Sequence, residues 1–78
     1  VKPSLGCVVI TGVSAPENNG SDVAPATVVR VWSDDLVNLK VHLDNHTDKW
    51  KTSVKLFDTE EEAREYGIAG ACFWPPRV

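Results

Sequence analysis

Val37-Asn38-Leu39-Lys40-Val41-His42-Leu43 places an apolar side chain at every second position, with Asn38, Lys40 and His42 between them. A period of two belongs to a strand with one dry and one wet face, because successive side chains of an extended chain point to opposite sides. The same reading extends outward in both directions. Thr27 to Ser33 forms the preceding strand across the Asp34-Asp35 turn, with Val29 and Val31 on one side and Val28, Arg30 and Trp32 on the other. Beyond the polar turn Asp44 to Asp48, Trp50 to Phe57 forms the next strand. There Trp50, Thr52, Val54 and Leu56 share a face opposite Lys51, Ser53 and Lys55. Three consecutive strands joined by short polar turns make an antiparallel meander.

The flanks complete the fold. Leu5 to Thr11 is a short β-branched apolar run, suited to a strand buried on both faces. Residues 12–26 carry Pro16, Pro25 and the pair Asn19-Gly20, which predicts an irregular loop, flexible or functional. A short helix is expected over about 58–66. Asp58 would cap its free amides, Glu61 would close a capping box, and three glutamates suit the positive end of the helix dipole. Ala63 and Tyr66 are its expected buried contacts, and Gly67 ends it in a left-handed conformation. Ala69 to Trp74 returns as the last strand, stopped by Pro75-Pro76. The expected fold class is mainly β, over a single domain of residues 1–78. It is a small five-stranded antiparallel curved sheet or partly open SH3-like barrel, with one short α-helix before the last strand.

Composition narrows the function classes. The chain is 42% hydrophobic, rich in valine and without methionine, which favours strands. Its net charge of −3 argues against nucleic acid as a partner, since phosphate backbones demand many cations. No run approaches the length of a membrane span and no basic-then-apolar leader is present, so a cytosolic setting without membrane contact is expected. Cys7 and Cys72 are expected as reduced thiols packed like small hydrophobes, with a disulfide as the alternative, since pairing of the first and last strands would bring them near one another.

Metal, cofactor and catalytic signals are weak. Neither cysteine belongs to a C-x-x-C pair. His42 and His46 straddle a strand-turn boundary, and Asp44 and Asp48 lack the glycine and glutamate of an EF-hand loop. No G-x-S-x-G or P-loop motif occurs, and a non-enzymatic protein without cofactor is expected.

Binding signals are stronger. By alternation, Arg30, Lys40, His42, Lys51 and Lys55 fall on the wet face of the meander, while Asp34, Asp35, Asp44 and Asp48 sit in the turns. Arg30 beside Trp32 suits an anion that carries a flat ring, such as a nucleotide. The ring would stack on tryptophan and the phosphate would pair with arginine. Trp50 is expected in the core, in register with Val54 and Leu56. The aromatic-proline tail Phe73 to Val78 is expected to lie on the body, with Trp74 as a pocket wall and Arg77 at a fixed place. The candidate ligand-binding residues are therefore Arg30, Trp32, Trp74 and Arg77. Seventy-eight residues leave little room for an internal pocket, so a homo-oligomer with its site between protomers is expected.

The segments A-T-V-V-R-V-W-S-D-D-L-V-N-L-K-V (Ala26 to Val41), T-S-V (Thr52 to Val54) and C-F-W-P-P-R-V (Cys72 to Val78) resemble a group of short proteins encoded by tailed bacteriophages. The group has no established activity. The resemblance implies a phage origin, expression in the host bacterial cytoplasm and an accessory role. Its partner would be a small anionic molecule, such as a nucleotide signal of host antiviral defence, a host protein, or a virion component.

Overall fold

The computed structural model describes residues 2–44 and 47–76. Five strands follow one another as β1 (Val8–Gly12), β2 (Val23–Ser33), β3 (Leu36–His42), β4 (Asp48–Phe57) and β5 (Ala71–Phe73), with helix α1 (Glu60–Tyr66) before the last. They close into a barrel in the order β1-β2-β3-β4-β5, with β5 returning to β1. Closure corrects the expectation of a purely antiparallel sheet. Strands that alternate in direction around a ring need an even number, so five must leave one parallel neighbour pair. That pair is β4–β5, with Lys55, Leu56 and Phe57 opposite Ala71, Cys72 and Phe73. Parallel neighbours need a crossover rather than a hairpin. Helix α1 and the 3-10 turn Ile68–Gly70 supply it.

The core is the inward rows of the meander and of β1. Val9, Val28, Val37, Leu39, Val41 and Cys72 are buried in one cluster, with Cys7 and Trp74 packed at its margin. A second, smaller cluster joins Ala63 of α1 to Ala71 and Phe73 of β5, which anchors the helix. Both cysteines are free thiols. Burial pushes the Cys72 thiol up to about 12, which keeps it protonated and unreactive.

Two strands break strict alternation, and both breaks shape the outer surface. In β2 the pairing shifts from Val28↔Leu39 to Arg30↔Asn38, an extra residue on the β2 side. In β4 it shifts from Val37↔Val54 to Leu39↔Lys51, where two steps on β3 face three on β4. An extra residue of this kind is a β-bulge, and it reverses which face the following side chains use. Ser53, at φ 55°, marks the β4 bulge. Trp50 is consequently not in the core, as its spacing from Val54 suggested, but 66% exposed, while Lys51 turns inward.

Smaller corrections have local causes. β1 is not buried on both faces, since Val8 is exposed. The irregular loop shrinks because β2 begins at Val23. Pro25 fits there because it lies past the last β2–β3 pair, Ala26↔Val41, where the strand has a neighbour on one side only. The remaining loop holds a 3-10 turn, Ala15–Asn18, tied to the β3–β4 connection. Asn18 Oδ1 accepts from the Asp44 amide at 2.6 Å, and Asn19 Nδ2 donates to the Asp44 carbonyl at 2.7 Å. The cap of α1 is Thr59 rather than Asp58. Its hydroxyl accepts from the Glu62 amide, which makes Thr59 and Glu62 the S/T-x-x-E pair. Tyr66 is exposed rather than buried, although its ring lies 5.2 Å from that of Phe57. The final strand is shorter than Ala69 to Trp74 because Ile68–Gly70 coils before it.

Candidate functional site

The outer face of β2–β3–β4 gathers cations and exposed indoles. The β2 bulge lets Val28 point inward and Arg30 outward although they lie two residues apart. Arg30 stacks on Trp32, with its guanidinium carbon 4.0 Å from the ring centroid. The indole is held in place by its N–H, which donates to Asn38 Oδ1 at 2.9 Å. Asn38 was expected on the wet face of β3, yet it is only 7% exposed, because the indole and the β4 bulge cover it. Its one oxygen also accepts from Thr52 Oγ1 at 3.0 Å and from the Ser53 amide at 2.8 Å. One side chain thus fixes both the bulge and the tryptophan.

Two further residues join this face. Lys40 pairs across the ladder with Trp50, and both are exposed. Trp50 escaped sequence reasoning because a bulge at a serine leaves no compositional mark. The nearest signal was Ser53 itself, a poor strand former inside an otherwise regular run. Trp32 remains 51% exposed. Among the described residues Arg30 has no carboxylate partner. A stacked guanidinium keeps its N–H donors at the rim of the stack, where a phosphate or carboxylate can meet them.

The rest of the expected basic face is otherwise engaged. Lys51 Nζ reaches under the barrel end, to the Gly12 carbonyl at 2.9 Å, the Ala69 carbonyl at 2.7 Å and Thr11 Oγ1 at 3.2 Å. Burial lowers its pKa from the ordinary lysine value, but with three oxygens around it the ammonium is a structural clamp. Lys55 is paired with Asp35 at 2.9 Å. His42 Nε2 lies 2.9 Å from Thr27 Oγ1, and its Nδ1 lies 3.5 Å from Asp48. That order of hydroxyl, imidazole and carboxylate is the one used to activate a nucleophile. Here it lies open to solvent on the sheet face, with a long histidine-carboxylate contact, and it reads as a cross-strand polar ladder.

Trp74 belongs to a different place. It lines a cleft of about 830 Å³ with Val8, Phe73, Pro75 and Pro76 as apolar walls and Asp58, Thr59 and Glu60 at the start of α1. Arg30 and Trp32 are not among its walls, so the expected four-residue site does not come together. Arg77 lies outside the described residues, as does His46. No group of three or more metal-ligating side chains occurs among the described residues, and no helix there is long and apolar enough to cross a membrane.

Acid sensitivity follows from two ion pairs. Hydrogen bonds from Arg64, at 3.0 and 3.3 Å, hold the Asp22 carboxyl below the usual range, with the guanidinium charge adding to them. Asp35 is held low chiefly by its hydrogen bond from Lys55, then by that from Ser33. Carboxyls with lowered folded pKa contribute stability above the unfolded value, and that share is lost as pH falls through the folded one. The melting temperature is therefore expected to begin falling below about pH 4. Replacing Arg64 with Met should flatten part of that fall, measured by thermal melts from neutral to strongly acidic pH.

Comparison with family models, with curated proteins and with solved structures returned no match to this chain.

Proposed function

We propose that this chain is a non-enzymatic, phage-encoded accessory protein of the host bacterial cytoplasm. It binds an anionic, ring-bearing ligand of the nucleotide class on the outer face of β2–β3–β4. The observation that supports this reading is the Arg30 guanidinium lying 4.0 Å over the Trp32 ring, with that ring pinned by Asn38. A phosphate would meet the guanidinium at the rim of the stack, a base would lie on exposed indole, and Lys40 would add a second cation. The phage attribution rests on the likeness of Ala26 to Val41 and Cys72 to Val78 to the bacteriophage group.

The test is a thermal-shift and calorimetric titration with a panel of mono- and cyclic nucleotides. A member at about a hundred times its Kd stabilises by about 2.7 kcal/mol. In a domain of this size that raises the melting temperature by roughly 10 °C or more. Arg30→Ala and Trp32→Ala should each abolish the shift. If no member stabilises the wild type, the reading fails.

A second reading, a protein-interaction module acting on a host protein or as a minor virion component, is favoured by the Trp74 cleft. Stoichiometric capture of such a protein by the intact chain and not by a Trp74→Ala variant separates it from the first.

A further inference from the structure

The stack on β2 and the cleft beside α1 are opposite in charge and alike in apolar character. Arg30 and Trp32 form a cationic, aromatic patch. The cleft is apolar along Val8, Trp74, Pro75 and Pro76 and carries carboxylates at the start of α1. Of these carboxylates Glu60 is already bonded to Arg64 at 2.8 Å. Asp58 has no ion-pair partner among the described residues. A volume of about 830 Å³ falls in the range that receives a drug-sized group, enough for an indole with a guanidinium on it.

We infer that the Arg30–Trp32 stack of one copy docks in the Trp74 cleft of a second copy of this chain. Trp32 enters against Trp74, Pro75 and Pro76, and the Arg30 guanidinium meets the Asp58 carboxylate. The inference rests on the reading of Arg30 and Trp32 as the protein's contact surface, and it names a partner for it. Charge decides the occupant. A chain of net charge −3 repels its own copies, so self-association needs patches of opposite sign, and these two supply them. Size is compatible as well. A stable contact removes about 600–1,000 Å² from each partner, roughly an eighth to a fifth of the 4862 Å² surface of this chain. The contact joins two different patches, so it builds either reciprocal pairs or head-to-tail chains of copies. A nucleotide on Arg30 would compete with the neighbour's Asp58 for the same guanidinium.

Charge exchange tests the contact. Sedimentation velocity of the full wild-type chain, from low micromolar to millimolar protein, should show association that grows with concentration and weakens with salt. Arg30→Glu alone and Asp58→Lys alone should each sediment as monomers at every concentration. An equimolar mixture of the two variants should associate again, because each unlike pair of copies then brings opposite charges together. Trp32→Ala alone should sediment as a monomer, because no copy then carries the entering ring, whereas mixed with Asp58→Lys it should form pairs through its intact cleft. A wild type that stays monomeric throughout overturns the inference, as does a single variant that associates like wild type or a mixture that fails to recover. If the monomeric wild type is still stabilised by a nucleotide, only the docking inference has failed. If copies associate as described and no nucleotide binds, the ligand reading has failed and the docking stands.

Discussion

Gly12→Ala is expected to be the most damaging single-methyl change in this protein. A Cβ built on Gly12 would lie 2.3 Å from the Ile68 carbonyl oxygen and 2.6 Å from its carbon, both backbone atoms. Relief by moving a side chain is not available, so either β1 or the Ile68–Gly70 turn must shift. The turn is held by the Gly70 amide on the Gly67 carbonyl at 3.1 Å, and it leads directly into β5, which pairs with both β1 and β4. Lys51 bridges the same seam through the Gly12 and Ala69 carbonyls. Opening the seam therefore loosens the barrel where it closes. Overpacking against backbone of this kind costs about 3 kcal/mol or more. A domain of this length holds roughly 4–12 kcal/mol in total, so a drop in melting temperature of at least roughly 12 °C is expected, or no folded protein. A melt within a few degrees of wild type would show that the close approach of β1 to the turn does not hold in solution.

Asn38→Ala ranks second. It removes the single oxygen that serves the Trp32 indole, the Thr52 hydroxyl and the Ser53 amide. Ser53 sits at the bulge with φ 55°, where its amide has turned out of the regular ladder toward Asn38. An orphaned donor in a covered site costs about 1–3 kcal/mol, and the indole and hydroxyl add smaller losses. Urea melts should show a loss of about 2–4 kcal/mol. Trp32 fluorescence should shift to the red as its ring comes away from β3, and nucleotide binding should weaken although Asn38 touches no ligand. Unchanged stability and emission would mean that the bulge and the ring are held by something else.

How far the sequence foretold these features depends on what each one requires. Alternation in Val37 to Leu43 was enough for the meander, because the inward rows are the core and the residues between them face out. The helix was legible from its glutamates and Gly67, although the cap fell one residue later, on Thr59. Asn38 was legible as a polar position but not as a covered one. Alternation fixes which side a residue takes and says nothing of what lies over it. Trp50 and Lys51 were misplaced for one physical reason, the extra residue at Ser53, and the outward turn of Arg30 after Val28 depends on a second such insertion. The parallel β4–β5 pair follows from counting strands once closure is known, but closure is a long-range fact that no local pattern encodes. Of the candidate site, the Arg30–Trp32 partnership came from spacing alone, whereas the separation of Trp74 from it needed the path of the crossover.

The extra residue in β4 is spliced into the strand without changing what its two flanks present. Loss of the Ser53 codon alone would leave Val37 opposite Val54 and Leu39 opposite Lys51, and would set Thr52 opposite Asn38 in an unbroken ladder. Trp50 would stay outside, and Lys51 would keep the carbonyls it gathers at the barrel end. What would vanish is the turned-out Ser53 amide, and with it one of the three donors that hold the Asn38 oxygen. A lineage could thus straighten this strand by deletion alone and keep its aromatic exterior.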